Sequence, residues 1–538
     1  MSALKSHCFP FRQIPHTTRL FRDFIEHTPS VQAFYRRSPM FLEWALDEAR
    51  HVQYPAERRV QVAEILERQN RNFGSSQKTL ENIAAFKSGA LAVVTGQQVG
   101  LFGGPVFSLY KALSTVKLVA ESRKLGIECV PVFWLATEDH DLEEVNQVRL
   151  PGAEGLLEML TSAARDGQDA PVAWFHFGGE IDQLTARAKE LLGDSEISNW
   201  ISDCYRPEES FGTAFAKLFA RIFADFGVVL LDASDPELDA IAAPLYRSVL
   251  ERAPELNRAL LERDQQLQAA DYHQQVKITS TTTPLFVIRQ GSRIPLHLKS
   301  EHGFVLGEEQ ILGPEVVKLA ESSPSSFSPN VLLRPVLQDY LLPTLAYVGG
   351  AAEIAYFAQL GVLYDKLSGR ITPILPRFSA TVIEPKPKTL LEKYELGFPD
   401  LLQGVEWLSE KIGARLLDPR LQSSFEQAQV AVERSMVAVR ESLEQLDKTL
   451  VDSAKNAEAK MLHQLSALRS RAARAELRQS EVAERHSRQL STSLYPDKTL
   501  QERELAGAYF LAKHGTQLLH SLLDVINPAC VDHQLVTL

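Results

Sequence analysis

ALAVVTGQQVGLFGGP, residues 90–105, decides the fold. Ala90 to Thr95 is a short, continuous, Val-rich run, the pattern of a strand buried on both faces. Gly96 to Pro105 is a glycine-rich turn, and the apolar periodicity of Val106 to Glu121 predicts a helix after it. Beyond Gly126, CVPVFWLA (Cys129 to Ala136) is a second strand, so the unit closes as β-α-β, and right-handed crossover makes its two strands parallel. A third strand, Val228 to Asp232, follows a helix containing Phe215, Leu218, Phe219 and Ile222. The alternation returns where Tyr347-Val348 run into Gly349-Gly350 and another helix, and again at Ile371 to Pro376. A doubly wound parallel α/β sheet is the expected class. A helix from Ala56 to Glu67, stopped at Gly74, precedes it.

Two stretches interrupt the alternation and read as insertions. One covers about 151–195, polar and glycine-bearing around Pro151-Gly152 and Asp166-Gly167. The other covers about 270–330, with the short-strand pattern STTTPLFVIRQGSRIPLHL in its middle. EPKPK, Glu384 to Lys388, reads as a rigid polar linker ending a core domain of residues 1–385. Residues 386–500 read as an α-helical coiled-coil domain. Val432, Met436, Val439, Leu443, Leu446 and Leu450 step by fours and threes, Ala457, Met461 and Leu468 extend the stripe, and residues 469–490 can return antiparallel to it. A forty-residue helix would reach about 60 Å. Such a hairpin calls for a partner surface, and a homodimer is the simplest one. Residues 501–538 are expected to pack back on the core.

A length of 538 residues, 45% apolar and 23% charged, supports a large soluble core. The net charge of −11 argues against a nucleic-acid partner, which needs clustered cations to neutralise phosphates. No run approaches the roughly 20 apolar residues that span a bilayer, and the N-terminal residues lack the apolar core of a secretory signal. The four cysteines, Cys8, Cys129, Cys204 and Cys530, show neither a CxxC pair nor zinc spacing, which suits a reducing compartment and inert thiols. A cytoplasmic chain with no membrane contact is expected.

In a parallel sheet the ligand crevice lies beyond the carboxyl ends of the strands, where two motifs fall. The first is the glycine turn. Gly96, Gly100, Gly103 and Gly104 permit close backbone approach, and the helix start behind them favours a phosphate or carboxylate. Gln97 and Gln98 add neutral donors and acceptors. The turn matches neither the Walker A pattern nor GxGxxG, and tight turning alone would also explain it. The second motif is Glu138-Asp139-His140-Asp141, three carboxylates beside one imidazole, whose mutual proximity must perturb their titration. His140 can take a proton from an attacking amine while Asp139 or Asp141 orients its ring. Binding a divalent metal is the rival use, and capping the next helix is the plain one. Secondary candidates are His273, Asn330 with Arg334, and Gly349-Gly350 with Glu353. For each, a structural role weighs about equally.

TGQQVGLFGGPVFSLYKALS (Thr95 to Ser114) followed by VPVFWLATEDHDLEEVN (Val130 to Asn146) resembles the BshC family, the cysteine-adding enzymes of bacillithiol synthesis. The likeness continues through YHQQV at Tyr272, through Phe327 to Leu360, and through LQERELAGAYFLAKHG at Leu500. It implies a Rossmann-like core with two insertions, a coiled-coil domain and a dimer. It also implies a crevice walled by Thr95 to Gln98 and by Glu138 to Asp141. The implied activity is a ligase joining cysteine to glucosaminyl-malate through an amide, with the carboxyl activated as an acyl-adenylate or acyl-phosphate. ATP or another nucleotide, with Mg²⁺, is the expected cofactor. Neither HIGH nor KMSKS occurs, so kinship with class I synthetases concerns fold alone. Two rival readings use the same crevice: a nucleotidyltransferase on another small acid, and a nucleotide-binding coiled-coil scaffold.

Overall fold

Val-rich runs bounded by glycine form the strands where their side chains are buried on both faces. Along the chain, β1 (Leu91–Gln97), α1 (Phe107–Lys124), β2 (Cys129–Leu135), α2 (Phe211–Ile222) and β3 (Val229–Asp232) come first. An antiparallel group follows, β4 (Thr282–Arg289), β5 (Ser292–Ser300), β6 (Gly303–Leu306), β7 (Glu309–Leu312) and β8 (Phe327–Pro329). Then come α3 (Arg334–Leu341), β9 (Thr344–Gly349), α4 (Ala351–Leu367) and β10 (Ile374–Pro376). The computed structural model describes residues 4–152, 156–162, 170–300 and 303–538. Asp166 and Gly167 lie outside them.

The central sheet has the order β10-β9-β1-β2-β3, every neighbour parallel. By sequence rank this is the Rossmann order, with the reversal between β1 and β9. Thr95 pairs with Val348, and Gly96 with Trp134, so the carboxyl ends of β9, β1 and β2 lie side by side. Val93, Cys129, Leu345, Val348 and Leu375 pack under Phe41, Trp44, Leu118 and Val119. β1 extends to Gln97, past the expected end at Thr95, because the edge of β2 continues to pair with it. The stretch expected as the second insertion holds an antiparallel sheet, ordered β7-β6-β5-β4-β8.

The chain divides into two units. One comprises Met1–Leu150, Glu158–Thr381 and Glu502–Val536; the other comprises Pro151–Leu157, Val382–Gln501 and Thr537–Leu538. In the first, the C-terminal segment lies on the glycine turn: Val106 N–H donates to Leu505 C=O, and Gly507 N–H to Gly104 C=O. Cys8 and Cys530 form a disulfide, which corrects the reading of four inert thiols. That reading holds for Cys129 and Cys204, which are buried; burial pushes the Cys129 thiol up to about 12. Among the described residues no helix is long and apolar enough to cross a membrane.

The second unit contains α5 (Val405–Leu416), α6 (Pro419–Leu446), α7 (Leu450–Gln479) and α8 (Glu481–Leu494). Two sequence expectations fail here. EPKPK is no linker, because Pro385 opens a helix, Pro385–Lys393, in the N1 position its fixed φ favours, and Glu384 is buried. The single long seam is broken at Asp447, whose carboxylate accepts from the N–H and hydroxyl of Thr449 and turns the chain. Met436 is therefore buried while Leu446 and Leu450 are exposed, and the helices are about 42 and 45 Å long instead of one of 60 Å. Helix α5 approaches α7 at Gly413, where a Cβ would overlap the Ala473 carbonyl. Gly413→Ala should lower the stability of this unit by about 1–3 kcal/mol through overpacking. Urea unfolding of the full chain, followed by far-UV circular dichroism, checks this; an unchanged midpoint would deny the close crossing.

Candidate active site

A cavity of about 640 Å³ opens at the carboxyl ends of β1, β2 and β9, the switch point of the sheet. Its floor is built around Lys111, buried on the second turn of α1. The three protons of its ammonium are all taken, by Gly96 C=O at 2.7 Å, Gln97 Oε1 at 2.9 Å and Glu353 Oε2 at 2.6 Å. Glu353, in the first turn of α4, also accepts from Gly350 N–H at 2.7 Å and from the Tyr347 hydroxyl at 2.5 Å. Arg334 donates through Nη2 to the hydroxyls of Tyr347 and Tyr356, at 3.2 and 2.8 Å. Its Nη1 is buried without a partner.

The run Glu138 to Asp141 places its four side chains in four environments. Glu138 receives the Trp134 indole N–H on Oε1 at 3.3 Å, and its Oε2 is buried without a partner. Burial raises its carboxyl to about 7; the charge of Asp139 adds to the rise, while Arg334 and Arg293 oppose it. Asp139 accepts from Gln98 Nε2 at 3.0 Å and from His140 N–H at 2.8 Å. Burial pushes its carboxyl up, but the bonds from His140 and the charge of Arg293 outweigh burial and hold it well below the usual carboxylate range. His140 Nδ1 lies 2.9 Å from Arg293 Nη1 and 3.3 Å from Asp139 Oδ1. A guanidinium donates at any accessible pH, so Nδ1 accepts from it and the proton of the neutral ring sits on Nε2. In that arrangement Nδ1 is engaged by Arg293, which leaves Nε2 as the ring nitrogen with no hydrogen bond to a described residue. Asp141 is exposed and caps the short helix Leu142–Val145 through Glu144 N–H. Among the described residues no three His, Cys, Asp or Glu side chains come together as a metal site.

Of the remaining candidates, Gly96, Gln97, Gln98, Asn330, Arg334, Gly350 and Glu353 also line the cavity. Asn330 Oδ1 accepts from the N–H groups of Leu332 and Leu333, fixing the turn that delivers Arg334. Thr95 does not reach the cavity; it is fully buried and its hydroxyl bonds β1 to Val348 C=O. Gly349 is packed so tightly that a Cβ would stand 2.9 Å from that of Glu353. His273 is exposed and contacts Gln275, whereas Val276 and Lys277 beyond it line the cavity. Gly100, Gly103 and Gly104 do not cradle an anion. Their N–H groups go to Gln98 C=O, the Tyr205 hydroxyl and Leu101 C=O, and φ values of +90° and +70° at Gly103 and Gly104 make the turn. Sequence reasoning missed Lys111, Arg293, Arg377 and Arg503. Lys111 alone carried a signal, as the one cation between Phe107 and Val116 on a buried helix.

Residues 4–378 match the family model described as "Bacillithiol biosynthesis BshC, N-terminal Rossmann-like domain", and residues 380–538 match its "C-terminal coiled-coil domain". The chain is 44% identical to a protein of Koribacter versatilis over 98% of this chain and 99% of that one. It is 34% identical to a protein of Solibacter usitatus with the same coverages, and 30% identical to one of Salinibacter ruber over 96% of each. All three bear the name "Putative cysteine ligase BshC". With both domains matched in order and relatives aligned nearly end to end, the chain belongs to the BshC family of bacillithiol biosynthesis.

Proposed function

We propose that this chain is a ligase forming an amide between the carboxyl of cysteine and the amine of glucosaminyl-malate, in the cytoplasm. The names of its relatives support the reaction class. The observation that carries the site assignment is a pair of buried polar atoms without protein partners, Glu138 Oε2 and Arg334 Nη1, in residues lining one cavity. Amide formation needs a group that removes a proton from the attacking amine and a donor for the oxyanion that develops on the carbonyl. Glu138, with its carboxyl near 7, suits the first role, and Arg334 Nη1 with His140 Nε2–H suits the second. Holding amine and carboxyl together contributes up to about 7–11 kcal/mol through orientation. A nucleotide such as ATP, with Mg²⁺, would when bound activate the carboxyl as an acyl-adenylate with loss of pyrophosphate or as an acyl-phosphate with loss of ADP.

Purified protein incubated with cysteine, glucosaminyl-malate, ATP and Mg²⁺ should yield the amide by mass spectrometry, and omission of any one reactant should abolish it; no amide from the complete mixture, or amide formed without ATP, would end the proposal. Because only ionised Glu138 accepts a proton, turnover should rise with pH through about 7. Glu138→Gln should lower kcat by about 100-fold or more and erase that rise. A pH profile unchanged in the variant would remove Glu138 from the role. Lys111→Met leaves Glu353 buried and uncompensated, so stability should fall by about 3–5 kcal/mol in chemical denaturation; a loss under about 1 kcal/mol would mean that the pair is not what organises the floor.

We further infer that the coiled-coil domain pairs two chains. Val430 and Val437 on α6, and Met461 and Leu468 on α7, are exposed apolar residues at seven-residue spacing. Sedimentation equilibrium should give the mass of two chains, and Leu468→Glu should shift the population toward one; a wild-type monomer at micromolar concentration would refute the pairing.

A further inference from the structure

The C-terminal segment brings one charge into the cavity from far along the chain. In Glu502-Arg503-Glu504 the two carboxylates act as bolts. Glu502 is buried and accepts from Arg377 Nη2 at 2.6 Å, the Ser379 hydroxyl at 2.9 Å and Ala380 N–H at 2.9 Å. Glu504 accepts from Arg149 Nη1 at 2.7 Å. Between them Arg503 lines the cavity with no hydrogen bond or ion pair to any described residue. Arg377 lines the same end, its guanidinium lying against Phe107 and close to Gly350, whose Cβ, if present, would be 3.6 Å from Arg377 Nε. Burial and the charge of Arg377 push the Arg503 guanidinium down from its ordinary value, against the opposing pull of Glu502, Glu504 and Glu353. Ala351 and Ala352, the first residues of the 17-residue helix α4, complete the wall with backbone N–H groups that have no acceptor within the helix. Glu353, an acid in the same wall, is paired with Lys111.

We propose that Arg503, Arg377 and the start of α4 form the phosphate-binding end of the cavity, so that a nucleoside triphosphate lies on the second glycine turn, Gly349-Gly350, and not on the first. Side-chain cations from two separate segments and helix amides converge there, which suits the several oxygens of a phosphate. In the first glycine turn the amides of Gly100, Gly103, Gly104 and Val106 are engaged otherwise, since they donate within the protein. Arg503, Arg377 and Glu138 then line one cavity that both binds an anion and accepts a proton.

This inference rests on the ligase reading only for the identity of the nucleotide; the anion site itself is tested with inorganic pyrophosphate. Isothermal titration of the full chain with pyrophosphate, ATP, malate and cysteine, in wild type, Arg503→Gln and Arg503→Lys, decides it. Pyrophosphate and ATP should bind wild type, weaken by about tenfold or more in Arg503→Gln, and recover in part in Arg503→Lys, with cysteine affinity unmoved. Melting temperature should move little, because Arg503 makes no hydrogen bond or ion pair to any described residue. Absence of pyrophosphate and ATP binding in wild type, equal binding in Arg503→Gln, or a loss falling on malate instead would overturn the proposal. Loss of cysteine binding alone would strike the ligase reading and leave the phosphate site standing.

Discussion

Lys111 and Glu353 meet at the reversal of the sheet, one from the helix after β1 and the other from the helix after β9. Taking both charges out of water costs several kcal/mol apiece, and only complete hydrogen bonding offsets it. The three donors of Lys111 and three accepted bonds on Glu353 meet that demand, and in doing so they fix the end of β1, the turn at Gly350 and the Tyr347 hydroxyl. Tyr347 in turn receives Arg334. A displacement of either helix would unsatisfy a buried charge, so both glycine turns and the guanidinium over Gly96 move as one body. The cavity is rigid at its floor because that floor is ionic.

The same constraint explains which glycines the site needs. At Gly96 a Cβ would lie 3.3 Å from Arg334 Nη1, Trp134 Cβ and the Tyr347 hydroxyl, so the residue is required for Arg334 to cross the end of β1. Gly103 and Gly104 answer another need: at positive φ they turn the chain so that Leu505 to Gly507 can pair against it. The C-terminal return is therefore part of the active-site wall, although about four hundred residues separate it from the turn it covers.

The sheet was legible because its determinants are local. Val-rich runs, glycines after β1 and β9, and helical periodicity between them are properties of neighbouring residues, and the doubly wound order follows from right-handed crossovers. Gln97, Gln98, Glu138, Asp139 and His140 were placed in the crevice on the same ground, since strand ends lead there. What stayed hidden is set by tertiary neighbours. Arg293 stands in an antiparallel strand with no motif around it, and nothing local distinguishes Arg503 from the other arginines of the C-terminal helices. Asp447 breaks a stripe that the apolar residues alone continue through, and Asp141 takes the plain capping role. Each hydrogen-bonds the backbone two or three residues on, a use of aspartate that competes with a heptad or a catalytic role without altering the sequence pattern.

Glu138, Asp139, His140 and Asp141 show why a dense titratable run does not itself assign chemistry. Successive side chains leaving a strand end diverge, so one faces the protein interior, one finds donors, one meets the guanidinium of an inserted sheet and one turns to solvent. The environments drive Glu138 and Asp139 apart, the first up to about 7 and the second well below the usual range. Separation of that kind keeps two adjacent carboxyls in different protonation states at one pH: Asp139 stays charged beside Gln98 and His140, while Glu138 titrates near neutrality. Arg293 fixes the third role by taking Nδ1 of His140, and through its bonds to Ser328 and Pro329 it ties that role to the antiparallel insertion.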